Sequence, residues 1–592
     1  MTYGSVEPAG AAVVEPVRRR ARRRGIATAV AAVTAAALVA GVAVARRGST
    51  AAAARTTEAL RSHDGKTPHH DRSSSYHSSH EHSSHHHKSH DRDGVSVVDD
   101  YYSSEGYTVE QNHFLEEENV KDFLVAKGFS LSYSYSYGEL DDYIPRSMTS
   151  TVTPSLVMGA IGEDALGGYV AFGLTAASGS VMTAGWLVVM DLYGNIVKIS
   201  STLGALIGTA NVTAHKMYNP VALKPINSTH FITAFGKTGA NLVGPRFLWN
   251  WCTDEYTELA GGNDNDAHDI NWSYDGNRFW QMDGDTELKE WEAYGTGRAV
   301  DRVKTHHMSD PNHAQLCEDD TVAYISSRMT DGIVKVNVTT GDVIWTLGGR
   351  HGDYDIVDFD GTRYSSGVRL WVGQHNAEYF GDSEYCMFDN ELQTGNNSRM
   401  LCVVLDEVNE YAYLSWEYEF NENSPHFGDN DRLPTGNMLG CYWPDTQLYG
   451  SVEYDERAVE ITRPGGEIAW QLEVMGAVCT ATEGECDRST GDGWTFYSIE
   501  RFYTAPLVYN LTCSVGTLSF STHNNFKQSN PSPARYALSG ALGSLGSGTF
   551  DFTPHWRDTF VSVDASGLDG DVNLTVTNTW GDETTKIVAC SY

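Results

Sequence analysis

Three histidines hold corresponding places in three segments of this 592-residue chain: His268 heads HDINWSYDGNRFWQM, His313 heads HAQLCEDDTVAYISSR and His375 heads HNAEYFGDSEYCMFDN. Each is followed by a short apolar run, an acidic or Gly turn (Asp275-Gly276, Glu318-Asp319, Gly381-Asp382) and a run of β-formers. A neutral imidazole can serve as nucleophile, general base or metal ligand, and an imidazolium can hold an anion. Arg328, which closes the SSR after His313, adds a fixed positive charge. In an acidic chain, three histidines and one arginine make an anion site; capture of a metal in an open three-histidine site is the competing chemistry, with Asp269 as its one clear acidic support. A purely structural role for the three is the remaining alternative. His215 and His426 stand at longer intervals from their turns and read as surface or core residues.

What would bring such histidines together is a repeat. Residues 148–503 read as strand, turn, strand with almost no helical periodicity. VVMDLYGNIVKI, KVNVTTGDVIWTL and VEITRPGGEIAWQL share one pattern, and in the last two Trp345 and Trp470 lie at equal spacing beyond the turn glycine. Counting degenerate copies gives roughly six units, each about the size of a four-stranded propeller blade. The predicted fold class is all-β, a six-bladed β-propeller, with two β-sandwiches as the alternative. In a propeller the innermost strands run along the axis, so His268, His313 and His375 would face one another at a funnel. Evenly spaced alternating strands over 504–592 predict a C-terminal β-sandwich as an accessory module.

The composition narrows the partners. A formal net charge of -35 excludes an extended polyanion-binding surface, so no nucleic acid is expected. All nine cysteines lie between Cys252 and Cys590 without CxxC spacing, which favours disulfides over zinc; Cys479 with Cys486 and Cys513 with Cys590 are the expected pairs. Sequons at Asn211, Asn227, Asn271, Asn337, Asn396, Asn510 and Asn573 agree with a secretory route and a glycoprotein.

The N-terminal residues predict how the chain is held. Residues 25–45 carry no charge and are just long enough to cross a bilayer, with six arginines before them and Arg46 and Arg47 after. A basic cytosolic tail over 1–24 and a signal anchor over 25–45 would make a single-pass type II membrane protein, or a secreted one if the segment is cleaved near Ala43-Val44-Ala45. Residues 46–94, with ten histidines between His63 and His90, cannot form a core and read as a disordered stalk. Residues 95–147 lead into the main body.

Four blocks in order, HAQLCEDDTVAYISSRMTDGIVKVNVTTGDVIWTLGG, QHNAEYFGDSEYCMFDN, SRMLCVVLDEVNEYAYLSWEYEF and DRLPTGNMLG, resemble the arylsulfotransferase family that works without a nucleotide sulfate donor. The resemblance covers about residues 266–472. It implies a six-bladed propeller that moves a sulfuryl group from an aryl sulfate donor to a phenolic or other hydroxyl acceptor by a ping-pong route, with no nucleotide and no obligatory metal. It further implies that His375 is the nucleophile sulfated on its ring. His313 and Arg328 would hold the sulfuryl oxygens, and His268 would do the same or protonate the leaving phenolate. Gln315, which stands where the family has Asn, and Asn390 of FDN join the substrate-binding set. The alternative of another class is a non-catalytic extracellular propeller that binds sulfated or acidic glycans.

Overall fold

The computed structural model describes residues 107–111, 145, 147–178, 181–202, 218–237, 244–260, 266–284, 286–294, 297–392, 394–444, 455–475 and 493–590. The anchor and stalk, His215 and the Cys479–Cys486 pair lie outside them. Among the described residues no helix is long and apolar enough to cross a membrane.

The class is all-β: among the described residues strands account for nearly all regular structure, and the one α-helix is Pro154–Met158. Among the described residues six sheets built on antiparallel meanders follow one another, the fifth widened by Asp355–Val357, which pairs in parallel with Tyr411–Glu419. The second sheet is Tyr218–Pro225, His230–Lys237, Arg246–Asn250 and Glu255–Glu258, and the third begins at Ile270–Trp272. The fourth begins at Pro311–Cys317 and the fifth at His375–Tyr379. The sixth begins at Asp431–Arg432 and is extended at its far edge by Ser147–Val152 and Tyr107–Gln111. In the first sheet, Tyr169–Ser178, Val181–Asp191 and Ile196–Ser201 are near in sequence, but the strand before them is Gly493–Phe502, from the far end of the chain.

Local chemistry explains the meanders. The turns expected after the three histidines carry left-handed residues at Gly276, Glu318, Asp319, Gly381 and Asp382, as tight reversals require. The repeated tryptophans are core: Trp345 and Trp470 are buried, and the Trp470 indole donates to Ser150 Oγ and Leu192 O. Outer strands alternate buried and exposed residues, as in Tyr411–Glu419, whereas Pro311–Cys317 buries every residue. A strand covered on both faces that still carries Asn312, His313 and Gln315 holds polar groups that need partners inside the protein.

The C-terminal residues form two further sheets, one of Leu507–Ser514, Thr517–His523 and Thr559–Asp564 and one of four strands from Ser532 to Cys590, around Leu518, Phe520, Phe552 and Leu574. Cys513–Cys590 is bonded as expected, and Cys386–Cys402 is a second disulfide that spacing did not reveal. The latter joins directly opposed residues of neighbouring strands.

Candidate active site

His375 opens the fifth sheet's first strand and is 4% exposed. The strand's start is pinned by Gln374, whose side-chain amide nitrogen donates to Ser327 O and Gly332 O and whose backbone carbonyl accepts from Asn312 Nδ2 at 2.8 Å. Asn390, at the end of the neighbouring strand, donates its amide nitrogen to Ser424 O at 2.7 Å and to Phe427 O at 2.8 Å. Its Oδ1, 2.7 Å from His375 Nδ1, is therefore an acceptor only. His375 must carry its proton on Nδ1, which leaves the Nε2 lone pair free, and no described residue hydrogen-bonds Nε2. Burial, then the nearby Arg328 charge, pushes the His375 pKa down to about 3 despite the Asn390 bond. The imidazole is neutral throughout the physiological range, in the form a nucleophile needs.

His268 is the electrostatic opposite. Its Nδ1 lies 2.5 Å from Asp266 Oδ1. Burial opposes the charged form and is the largest single influence, but the charge and hydrogen bond of Asp266, with Asp310 beyond, carry its pKa above the ordinary value. The environments of the two histidines thus push their pKa values apart, His375 toward the neutral form and His268 toward the charged one.

The Arg328 charge is felt by both histidines and acts against protonation of each, outweighed at His268 by the acidic neighbours. Its Nη1 donates to Asp310 Oδ2 at 2.9 Å and its Nη2 lies 3.3 Å from His426 Nδ1. Arg328 Nε is buried without a hydrogen-bond partner, an N–H available to an anionic oxygen.

The apolar wall comes from elsewhere in the chain. The Tyr497 ring lies edge-on to both His268 and His375, at centroid distances of 5.7 Å and 6.0 Å, and its hydroxyl donates to Asn312 O at 3.2 Å. Phe427 packs on Tyr497 at 5.3 Å, and Trp443 lies 6.0 Å from Phe427 and 6.2 Å from His426. Gly428 lets this loop approach the fifth sheet: at φ +117, a Cβ there would meet the Phe388 ring at 2.3 Å. An aromatic wall beside a neutral imidazole, a second histidine biased toward its charged form and a guanidinium suits a ligand that is aromatic at one end and anionic at the other.

The other expected residues divide. His313 has its contacts with carboxylates: its Nδ1 lies 3.4 Å from Asp269 Oδ2 and its Nε2 3.1 Å from Glu378 Oε1. It meets His268 only across a hollow of about 10 Å³, room for on the order of one water. Gln315 is farther still: its amide donates to Tyr379 O and to Ser529 Oγ of the C-terminal module and accepts from Tyr379 N. It is a clamp between strands, because a Gln in a fully buried strand finds its partners in the neighbouring backbone. The three histidines bring no common set of ring nitrogens to a point. Among the described residues the one convergent His, Cys, Asp and Glu group is Glu384, Cys386 and Cys402, whose cysteines are disulfide-bonded.

Three contributors escaped the sequence. His426 was set aside for its longer interval to the next turn, yet it reaches Arg328 from the loop that enters the sixth sheet. Trp443, like Trp371 and Tyr379, could line a phenol pocket on sequence grounds, but most Trp and Tyr of β proteins are core and none is assigned that role; Tyr497 carries no motif and arrives on the strand that returns to the first sheet.

Residues 269–481 match the family model described as Arylsulfotransferase (ASST). No curated protein sequence matches the chain. Among solved structures, Kuenenia stuttgartiensis hydrazine synthase is similar at 11% identity over 52% of this chain and 76% of that one, with a TM-score of 0.28. The Swd1 β-propeller domain of Myceliophteria thermophila is similar at 8% identity over 50% of this chain and 91% of that one, also with a TM-score of 0.28.

Proposed function

The chain is arylsulfotransferase-like over residues 269–481, a transferase independent of a nucleotide sulfate donor, and from that premise we propose that it passes a sulfuryl group from an aryl sulfate to a phenolic or other hydroxyl acceptor through a sulfated His375. The observation that carries the reading is the Asn390 acceptor at His375 Nδ1, which leaves a neutral Nε2 as the nucleophilic atom.

In the first half-reaction His375 Nε2 attacks sulfur, and the S–O bond to the aryl group breaks with its electron pair leaving on the phenolate oxygen. His268 supplies the proton to that oxygen. Arg328, through its unpartnered Nε, holds a sulfuryl oxygen while negative charge spreads in transfer. Phe427, Trp443 and Tyr497 bracket the ring. In the second half-reaction the acceptor hydroxyl attacks sulfur, His268 takes the acceptor's proton, and the S–N bond breaks to restore His375. His313, fixed between Asp269 and Glu378, helps position this site.

The six consecutive meanders and the return of Gly493–Phe502 to the first sheet support a six-bladed propeller over 148–503, followed by a β-sandwich over 504–592. The anchor over 25–45 would hold this body outside the cytosol. The family match favours transfer over a glycan-binding propeller without catalysis. Incubation with an aryl sulfate alone, followed by mass spectrometry, tests the reading: release of one phenol per chain with a gain of ~80 Da on His375 is expected of a covalent nucleophile. Turnover retained in His375→Ala would sink it.

A further inference from the structure

The innermost strands have two ends. His375 and His268 stand where their strands begin; a second cavity of about 700 Å³ opens where those strands finish, and neither His375, His268 nor Arg328 lines it. Lys224, Trp272, Gln315, Glu378 and Glu500 reach it from the first strands of five sheets, and residues 526–533 of the C-terminal module close its other side. The volume is that of a small-molecule site.

Two features of the lining point to a ligand. Glu378 and Glu500 are 1% and 2% exposed, and each keeps one buried carboxylate oxygen with no hydrogen-bond partner, an unusual state for so polar an atom. Toward solvent, the cavity carries Tyr274, Tyr294 and Trp580, exposed by 49%, 55% and 40%. The Trp580 ring is braced by Phe526 at a centroid distance of 4.7 Å. Half-bare aromatic faces over unpaired acceptors select a ligand with an apolar face and several donors.

Charge narrows the class. Lys527 reaches the lining from the C-terminal module, 2.6 Å from Glu378 Oε1 and 2.5 Å from Asp431 Oδ1, and Lys224 lies 2.6 Å from Asp269 Oδ1. An anion would meet Glu378 and a cation would meet the two ammonium groups, while burial raises the Glu500 carboxyl well above the usual carboxylate range. A neutral polyhydroxylated ring avoids both repulsions, donating to the carboxylates and stacking its C–H face on the aromatics. We propose that this cavity binds the end of a neutral saccharide chain, separately from the sulfuryl-transfer site.

The full-length chain is titrated calorimetrically with cellotriose, maltotriose and N,N′-diacetylchitobiose. At least one should bind saturably. Tyr294→Ala and Trp580→Ala, both at half-exposed positions, should each weaken it about tenfold while aryl sulfate turnover stays unchanged. His375→Ala should bind the sugar as the parent does. Failure of all three sugars at millimolar concentration would overturn the proposal. So would equal affinity in the Tyr294→Ala/Trp580→Ala double variant, or tighter binding of a sulfated or amino sugar oligomer than of the neutral ones.

Discussion

Asn390 meets His375 as an acceptor and nothing else, because both hydrogens of its amide are committed to the carbonyls of Ser424 and Phe427. Replacing the amide with Ala removes the constraint on the imidazole tautomer and leaves the Ser424 and Phe427 carbonyls without their donor. Asn390→Ala should lower kcat/KM for an aryl sulfate by about 100-fold, as loss of a group that orients a catalytic base or nucleophile does. Steady-state assay beside circular dichroism checks it; a loss of less than threefold in a folded variant would contradict the tautomer argument.

The pH dependence follows from the two histidines. Because the His375 pKa sits near 3, the nucleophile does not titrate across the neutral range. His268 has its pKa raised above the ordinary 6.5, so its proton is present below that raised value and lost as pH climbs through it. The kcat/KM profile should therefore be flat on its acid side down to where the fold fails, and fall on its alkaline side. His268→Gln should abolish that alkaline limb along with most of the rate, and the slowest donors, those with the most basic phenols, should suffer most.

His426 and Trp443 should divide their effects. His426→Ala frees one side of Arg328 and should cost on the order of tenfold in kcat with a modest change in KM, since a guanidinium held less firmly stabilises transfer less. Trp443→Ala should chiefly raise KM for aryl sulfates. Methyl sulfate as donor distinguishes them: its transfer should respond to His426→Ala and not to Trp443→Ala.

Gln315→Ala should leave turnover within about twofold, because its amide clamps Tyr379 to Ser529 far from the nucleophile. The cost should appear in stability, of about 1–3 kcal/mol for buried partners left unsatisfied. Thermal melts read it.

Lys527→Ala should destabilise by about 3–5 kcal/mol, since Glu378 and Asp431 would be left buried without their counter-charge. Lys527→Ala paired with Glu378→Gln should recover part of that loss, and a double-mutant cycle in urea measures the coupling.

Much of the frame was legible because meanders write themselves locally. A left-handed turn residue such as Gly341 or Gly466 followed at fixed spacing by Trp345 or Trp470 marks a repeat in any register of the chain. The block around His375 was legible for the same reason: the histidine and Asn390 sit on adjacent strands of one sheet, joined by a short turn. What stayed hidden depends on contacts between sheets. Arg328 and His426 are 98 positions apart, Gln315 and Ser529 214, and no periodicity encodes such pairings. The three histidines correspond in sequence but not in their place along the strands: His375 is the first residue of His375–Tyr379, His313 the third of Pro311–Cys317, and His268 precedes Ile270–Trp272, so their spacing to the following turns does not fix what each side chain meets.

Tyr497 belongs to the strand that starts the first sheet, although its partners there precede it by more than three hundred residues. On a ribosome, then, the transferase segment emerges whole before the ring that completes its aromatic wall has been made. A chain whose first sheet is completed by so late a strand has no aromatic wall beside His375 until residues 493–502 have been made, so the proposed activity waits on them. Released fragments ending before residue 493 should consequently be inert toward aryl sulfates even though His375, Asn390, Arg328 and His268 are all present in them.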